Sequence, residues 1–158
     1  MKHLFMLGFV LGLSGIAHAQ SARALVLEGN ELYESGEYAK AGELYERAME
    51  RGGRTPESVY NRANAAYRAG DLETAASLYR DVRAMPGAGG LAADAAHNLG
   101  RVILERARSD DSLAQDPEAM LDRLREAERA FRNALDLSPD DADAARTLEL
   151  TRRTIDRL

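Results

Sequence analysis

The chain has 158 residues, no cysteine and a net charge of −5 at pH 7. An excess of acid opposes a general nucleic-acid footprint, which needs clustered Lys and Arg. The lack of cysteine excludes disulfides, thiolate metal sites and a lipid-modified cysteine near the N-terminus. The length suits one domain after a leader.

Residues 1–19 read as a signal peptide. Lys2 gives a positive start, Leu4 to Ile16 is an apolar run broken only by glycines and Ser14, and Ala17-His18-Ala19 fits a small-x-small cleavage site. The apolar run is shorter than the roughly 20 residues that span a bilayer. Export with cleavage is therefore expected over a retained anchor, in a periplasmic or secreted location. Removing residues 1–19 takes away Lys2 and no acid, leaving 20 basic and 26 acidic residues. There is then no polybasic patch for an anionic lipid surface, and no direct membrane insertion is expected after cleavage.

The remaining chain, 20–158, reads as helices. The first pair is expected from Ser21 to Ser35 and from Glu37 to Arg51, with Gly36 ending the first helix in a left-handed conformation. The second pair is expected from Pro56 to Ala69 and from Asp71 to Ala84, with Gly70 in the same role. Thr55-Pro56-Glu57 supplies a capping hydroxyl, a first-turn proline and an acid at the positive end of the helix dipole. Asp116-Pro117-Glu118 and Ser138-Pro139-Asp140 repeat that device. Between these pairs the sequence matches itself at a separation of 34: Asn30/Asn64, Tyr33/Tyr67, Gly36/Gly70, Ala41/Ala75 and Tyr45/Tyr79. A fixed period of this length marks stacked helix-turn-helix units.

A third unit is altered. Ala96, Leu99 and Gly100 take the phases of Val59, Arg62 and Ala63 at a separation of 37, whereas Ala127, Phe131 and Ala134 take those of Ala75, Tyr79 and Val82 at 52. The difference, 15 residues, enters between the two helices, at about 106–121. It either forms a disordered loop or lengthens both helices by about two turns, with a polar tip at Ser109 to Gln115. The unbroken 4-3-4-3 spacing of Met120, Leu124, Ala127, Phe131 and Ala134 favours the long hairpin. A final helix is expected at about 139–157. Its inward face would hold Ala142, Ala145, Leu148, Thr151 and Ile155, and its polar back would keep the end of the array soluble.

These residues resemble the tetratricopeptide repeat (TPR) family. Small residues Gly29, Ala63 and Gly100, alanines Ala41, Ala75 and Ala127, and aromatics Tyr45, Tyr79 and Phe131 stand at the family's characteristic phases. Leu25, Val59 and Ala96 replace its usual tryptophan. The resemblance implies an all-α array of about three helix pairs, in units of about 22–55, 56–89 and 93–141, the third extended, plus a C-terminal capping helix. More narrowly, Tyr60-Asn61-Arg62-Ala63-Asn64-Ala65-Ala66-Tyr67-Arg68-Ala69-Gly70 and Asp143-Ala144-Ala145-Arg146-Thr147-Leu148-Glu149-Leu150 resemble stretches in periplasmic TPR proteins of bacterial Bat (aerotolerance) operons. That likeness implies a partner among von Willebrand A-domain membrane proteins.

In TPR arrays the first helix of each pair lines the groove. The resemblance places Asn30, Tyr33, Asn61, Asn64, Tyr67, His97, Asn98 and Arg101 there. Amide and phenol groups at successive turns suit an extended peptide whose backbone needs partners; the alternative is that the asparagines bond neighbouring backbone and the tyrosines are half core. TPR domains that clamp a C-terminal carboxylate use groove asparagines with several cations. Asn30 and Asn61 fit, but Val26, Asp94 and Asn98 stand where the cations should be, so that clamp is not expected. Arg68 and Arg101 offer a different anchor.

No enzyme, cofactor or metal is expected. His97 is the only histidine beyond the leader, and no nucleophile-base set, phosphate loop or calcium loop is present. Two functions remain open. One is an adaptor that binds a peptide or protein in its groove. The other is an assembly subunit that oligomerises or acts through the long third hairpin.

Overall fold

A computed structural model describes residues 21–158, apart from the side chain of Ala114. The expected leader lies outside the described residues. The described chain folds into seven α-helices: α1 (Ala22–Glu34), α2 (Tyr38–Gly52), α3 (Pro56–Ala69), α4 (Leu72–Ala84), α5 (Gly90–Ser109), α6 (Pro117–Leu137) and α7 (Ala142–Ile155). No strand occurs among the described residues. Each helix packs against the next in the chain, and α3 also touches α5. The odd-numbered helices thus form one row and the even-numbered helices α2, α4 and α6 a second.

Local chemistry sets the helix ends. The hydroxyl of Thr55 accepts from the Ser58 amide at 3.2 Å while Ser58 Oγ accepts from the Thr55 amide at 3.0 Å, a reciprocal cap with Pro56 just inside the helix. Asp71 and Asp116 each accept from the amide three residues on, at 3.1 and 3.0 Å. Gly36 and Gly70 have φ of 84° and 83°, a conformation that costs a side chain steric strain. The amides of Glu37 and Asp71 then reach back to the carbonyls of Leu32 and Ala66, at 2.8 and 2.9 Å, closing the same turn in both units.

One helix start differs from expectation. α7 begins at Ala142, later than the expected 139, because Asp141 is the stronger cap: its carboxylate accepts from the amides of both Asp143 and Ala144, at 3.0 and 2.9 Å. Pro139 and Asp140 belong to the preceding turn. The buried stripe of α7 also shifts. Ala144, Leu148 and Thr151 are buried, while Ala142 and Ala145 are exposed. The helix meets the array through α6, so one narrow 4-3 stripe suffices.

The 15-residue insert is mostly helical. α5 and α6 run for 20 and 21 residues, against 13 to 15 in the other helices. At 1.5 Å per residue, the gain is about two turns each. Asp110 to Asp116 forms the tip, with one 3-10 turn at Leu113–Gln115. Leu124, Ala127, Phe131 and Ala134 are buried at the expected spacing, and Met120 is half-buried.

Within each pair, an aromatic ring on the second helix packs on a small residue of the first. A Cβ built on Gly29 would lie 2.8 Å from the Tyr45 ring, and one on Gly100 would lie 2.6 Å from Phe131. In the second unit, Ala63 and Tyr79 share the main core, which runs without a break from Met49 on α2 to Leu148 on α7. Replacing Gly100 with alanine is expected to destabilise the fold by about 1–3 kcal/mol through overpacking, despite a helix-propensity gain of about 1 kcal/mol. Thermal unfolding of G100A beside the G100A/F131L double variant checks this: the smaller leucine should recover most of the loss.

Candidate functional site: the inner face of the array

All eight residues expected in the groove lie on α1, α3 and α5. They do not all serve one role. Asn30 and Asn64 face their own repeats. The Tyr45 hydroxyl donates to Asn30 Oδ1 at 2.8 Å, and the Tyr79 hydroxyl donates to Asn64 Oδ1 at 2.6 Å. Tyr45 and Tyr79 are buried, so each asparagine satisfies a phenol that would otherwise lack a partner. Burial holds Tyr45 in its neutral form and pushes its pKa up to about 12, and it raises that of Tyr79 further.

Asn98 has a similar structural task. Its Nδ2 donates to the Tyr60 hydroxyl at 3.0 Å, and the Tyr60 ring meets Tyr79 edge-on at 5.9 Å. Burial raises the Tyr60 pKa, and hydrogen bonds from Asn64 and Asn98 oppose the shift. Tyr60, absent from the expected groove set, therefore joins α3 to α5. His97 packs edge-on against Phe131 at 5.5 Å, with Nδ1 3.7 Å from the Asp141 carboxylate at the start of α7. Asn61 is half-buried on α3.

Tyr33, Tyr67 and Arg101, joined by Arg68, make ring contacts instead. Tyr33 meets Tyr38 edge-on at 5.2 Å. The Arg68 guanidinium lies 4.5 Å from the Tyr38 ring centre and 5.9 Å from that of Tyr33, and it donates to the Tyr38 hydroxyl. One unit on, the Arg101 guanidinium lies 5.1 Å from the Tyr67 ring centre, with weak contacts of 3.4 Å to the Tyr67 hydroxyl and to Asn98 Oδ1. Arg101 thus rests on a tyrosine of α3, whereas Arg68 rests mainly on Tyr38 of α2, with Tyr33 of α1 farther off.

The third unit explains why Arg101 is available. Asn30, Asn64 and Arg101 share one repeat phase, as do Tyr45, Tyr79 and Phe131. Where phenylalanine removes the hydroxyl, the asparagine that would accept from it is gone as well. The carboxylate clamp remains unsupported: Val26 packs beside the core, and Asn98 is engaged by Tyr60.

Comparison with known proteins agrees with this architecture. Residues 26–89 match the sequence model described as tetratricopeptide repeat. This is a tetratricopeptide repeat fold. The first TPR of Spaghetti (RPAP3), solved with an HSP90 peptide SRMEEVD, superposes with a TM-score of 0.65 at 22% identity, over 86% of this chain and 94% of that one. The Sgt2 TPR domain from Aspergillus fumigatus gives 0.64 at 23%, over 85% and 79%. The second TPR domain of human RPAP3, in complex with an HSP70 peptide SGPTIEEVD, gives 0.61 at 20%, over 84% and 98%. No curated protein matches the chain. Among the described residues, no helix of this TPR array is long and apolar enough to cross a membrane, and no cluster of His, Cys, Asp or Glu could hold a metal ion.

Two expectations follow from the tyrosine-asparagine pairs. Asn64→Ala leaves the Tyr79 hydroxyl unsatisfied, at a cost of about 1–3 kcal/mol. Adding Tyr79→Phe should restore part of that loss, and denaturant unfolding of the single and double variants measures the coupling. The second concerns pH. The folded pKa of Tyr45 is raised from 10.0 to about 12, so its stabilising contribution is complete below pH 10 and is lost as pH rises toward 12. Denaturation midpoints across that window should fall less steeply in Tyr45→Phe than in the wild type.

Proposed function

We propose that this chain is an exported adaptor that holds an extended segment of a partner protein against its inner face. The observation that carries the reading is the stepped series of Tyr33, Tyr67, Arg68 and Arg101, which offers flat apolar area and hydrogen-bond donors on successive helices. A peptide in extended form presents unpaired carbonyls and alternating side chains to such a surface. RPAP3 TPR domains bound to chaperone peptides make peptide capture the natural reading of this fold. Here the ligand class differs, because the cations of the chaperone clamp are absent. The protein acts by binding rather than catalysis.

The leader-like residues 1–19 support export to the bacterial envelope. The likeness of residues 60–70 and 143–150 to Bat-operon proteins supports a membrane protein with a von Willebrand A domain as the partner. A second reading rests on the long third hairpin. Leu104, Met120 and Leu124 line an apolar cleft with Leu150 and Leu158, and the last two are 56% and 61% exposed. That cleft suits assembly through the end of the array.

A pull-down from envelope extract separates the two. The wild-type chain should capture the von Willebrand A-domain protein. Tyr67→Ala, shown to be folded by circular dichroism, should lose it, and Leu150→Glu should keep it. The reverse pattern moves the function to the hairpin cleft.

A further inference from the structure

The geometry points to a second copy of this chain as the occupant of the hairpin cleft, with α7 of the two copies crossing antiparallel about a two-fold axis. This rests on the second reading above, assembly through the end of the array, and names its partner.

The cleft exists because α7 is short beside the lengthened hairpin. α6 runs for 21 residues and α7 for 14, a shortfall of about 10 Å at 1.5 Å per residue. Where the last turns of α7 meet the far end of α5 and the start of α6, Leu104, Met120, Leu124, Leu150 and Leu158 wall a space of about 360 Å³. Thr147, Thr151 and Thr154 stand on the same wall and add no free polar group. Their hydroxyls donate to the carbonyls of Asp143, Thr147 and Leu150, at 2.8, 2.8 and 2.9 Å, within their own helix. α7 therefore carries two apolar stripes. Ala144, Leu148 and Thr151 are buried where the helix meets α6. Leu150, Thr154 and Leu158 follow one another at single-turn spacing beside them. Four large apolar side chains are exposed among the described residues, and Leu150 and Leu158 are two of them. A helix that only closed the array would be polar on that side.

Shape and charge together select a second copy. The wall of the cleft also supplies its filling: Leu150 and Leu158 project two turns apart with only Thr154 between them. Two α7 helices laid across each other each bring leucines to the other's Leu104, Met120 and Leu124. A patch that both needs cover and provides it is satisfied by an isologous contact, in which the same surface serves both partners. Charge then sets the direction. Asp143 stands at one end of the apolar row and Arg157 at the other. An antiparallel crossing centred on Leu150 brings Asp143 of each copy opposite Arg157 of the other, and it sets Arg146 and Arg153 opposite Thr154 and Thr147. A parallel crossing would place every residue opposite itself, so Arg146, Arg153 and Arg157 would each face their own kind. The contact that Asp143 makes with Arg146 inside its own helix is exposed and 3.7 Å long, which is weak competition for the new pair. Antiparallel helices also oppose their dipoles.

Sedimentation equilibrium of the full-length chain should show a dimer at about 100 µM that dissociates on dilution toward about 1 µM, as suits a small interface. Leu150→Glu and Leu158→Glu should be monomeric at the higher concentration with an unchanged circular dichroism spectrum, because both side chains are exposed. Arg157→Asp should weaken the dimer at least about tenfold, and adding Asp143→Arg should restore it. The chain has no cysteine, so single cysteines report the crossing without background. Under mild oxidation Leu150→Cys should link to itself, and Asp143→Cys should link to Arg157→Cys when the two are mixed. Self-linking of Arg157→Cys that outpaces the mixed link overturns the antiparallel crossing. A chain that is monomeric at about 100 µM, or a dimer that survives Leu150→Glu, overturns the second copy as occupant. If that monomeric chain still loses the envelope partner through Leu150→Glu, the cleft reading stands with the envelope partner in the cleft. If Leu150→Glu changes neither self-association nor capture, the dimer and the cleft reading both fall, and the groove reading is untouched.

Discussion

Contact between an aromatic ring and a small residue sets the spacing of each helix pair. Tyr45 lies on Gly29, Tyr79 packs in the same core as Ala63, and Phe131 lies on Gly100. Only a residue with little or no side chain admits a ring so close to the opposite backbone, and interiors at crystal-like density give little room to adjust. Once the pairs are set at this distance, the buried residues between them form a main core from Met49 to Leu148 and smaller clusters in the first pair and beside α7. Stacking of successive pairs then generates an inner face whose chemistry is free to vary.

The same aromatic ring links packing to the groove. A tyrosine at that position brings a hydroxyl into the interior, and the interior must supply an acceptor. Asn30 and Asn64 do so from the groove side, which assigns one inner-face position per unit to structure. Phenylalanine at residue 131 removes the demand, and Arg101 takes the vacated phase. A core substitution thus releases a surface position, and the third unit gains a charge without an unsatisfied group inside.

Charge distribution follows from this arrangement. The outer and lateral surfaces carry arginines paired with glutamate or aspartate, such as Arg80 with Glu126 and Arg106 with Glu73. Exposed pairs of this kind contribute little stability, of order 0–1 kcal/mol each. The groove arginines instead stack on aromatic rings.

Much of this architecture was legible in the sequence because it depends on local periodicity. The separation of 34 residues, the left-handed glycines, the proline starts and the 4-3-4-3 stripe on α6 specify helices, turns and the extended third hairpin through backbone sterics and burial alone. The roles of Asn30, Asn64 and Asn98 were not legible. Each sits at a groove phase, and whether its amide faces a ligand or a buried tyrosine depends on a ring 15 or 38 residues away. The start and buried stripe of α7 were decided in the same way, by the reach of the Asp141 carboxylate and by packing against α6. The sequence by itself determined that these units stack and which residues lie along the inner helices. The tertiary structure alone decided which of those side chains are held by the core and which remain free, because hydrogen bonds across helices depend on distances that no local pattern encodes.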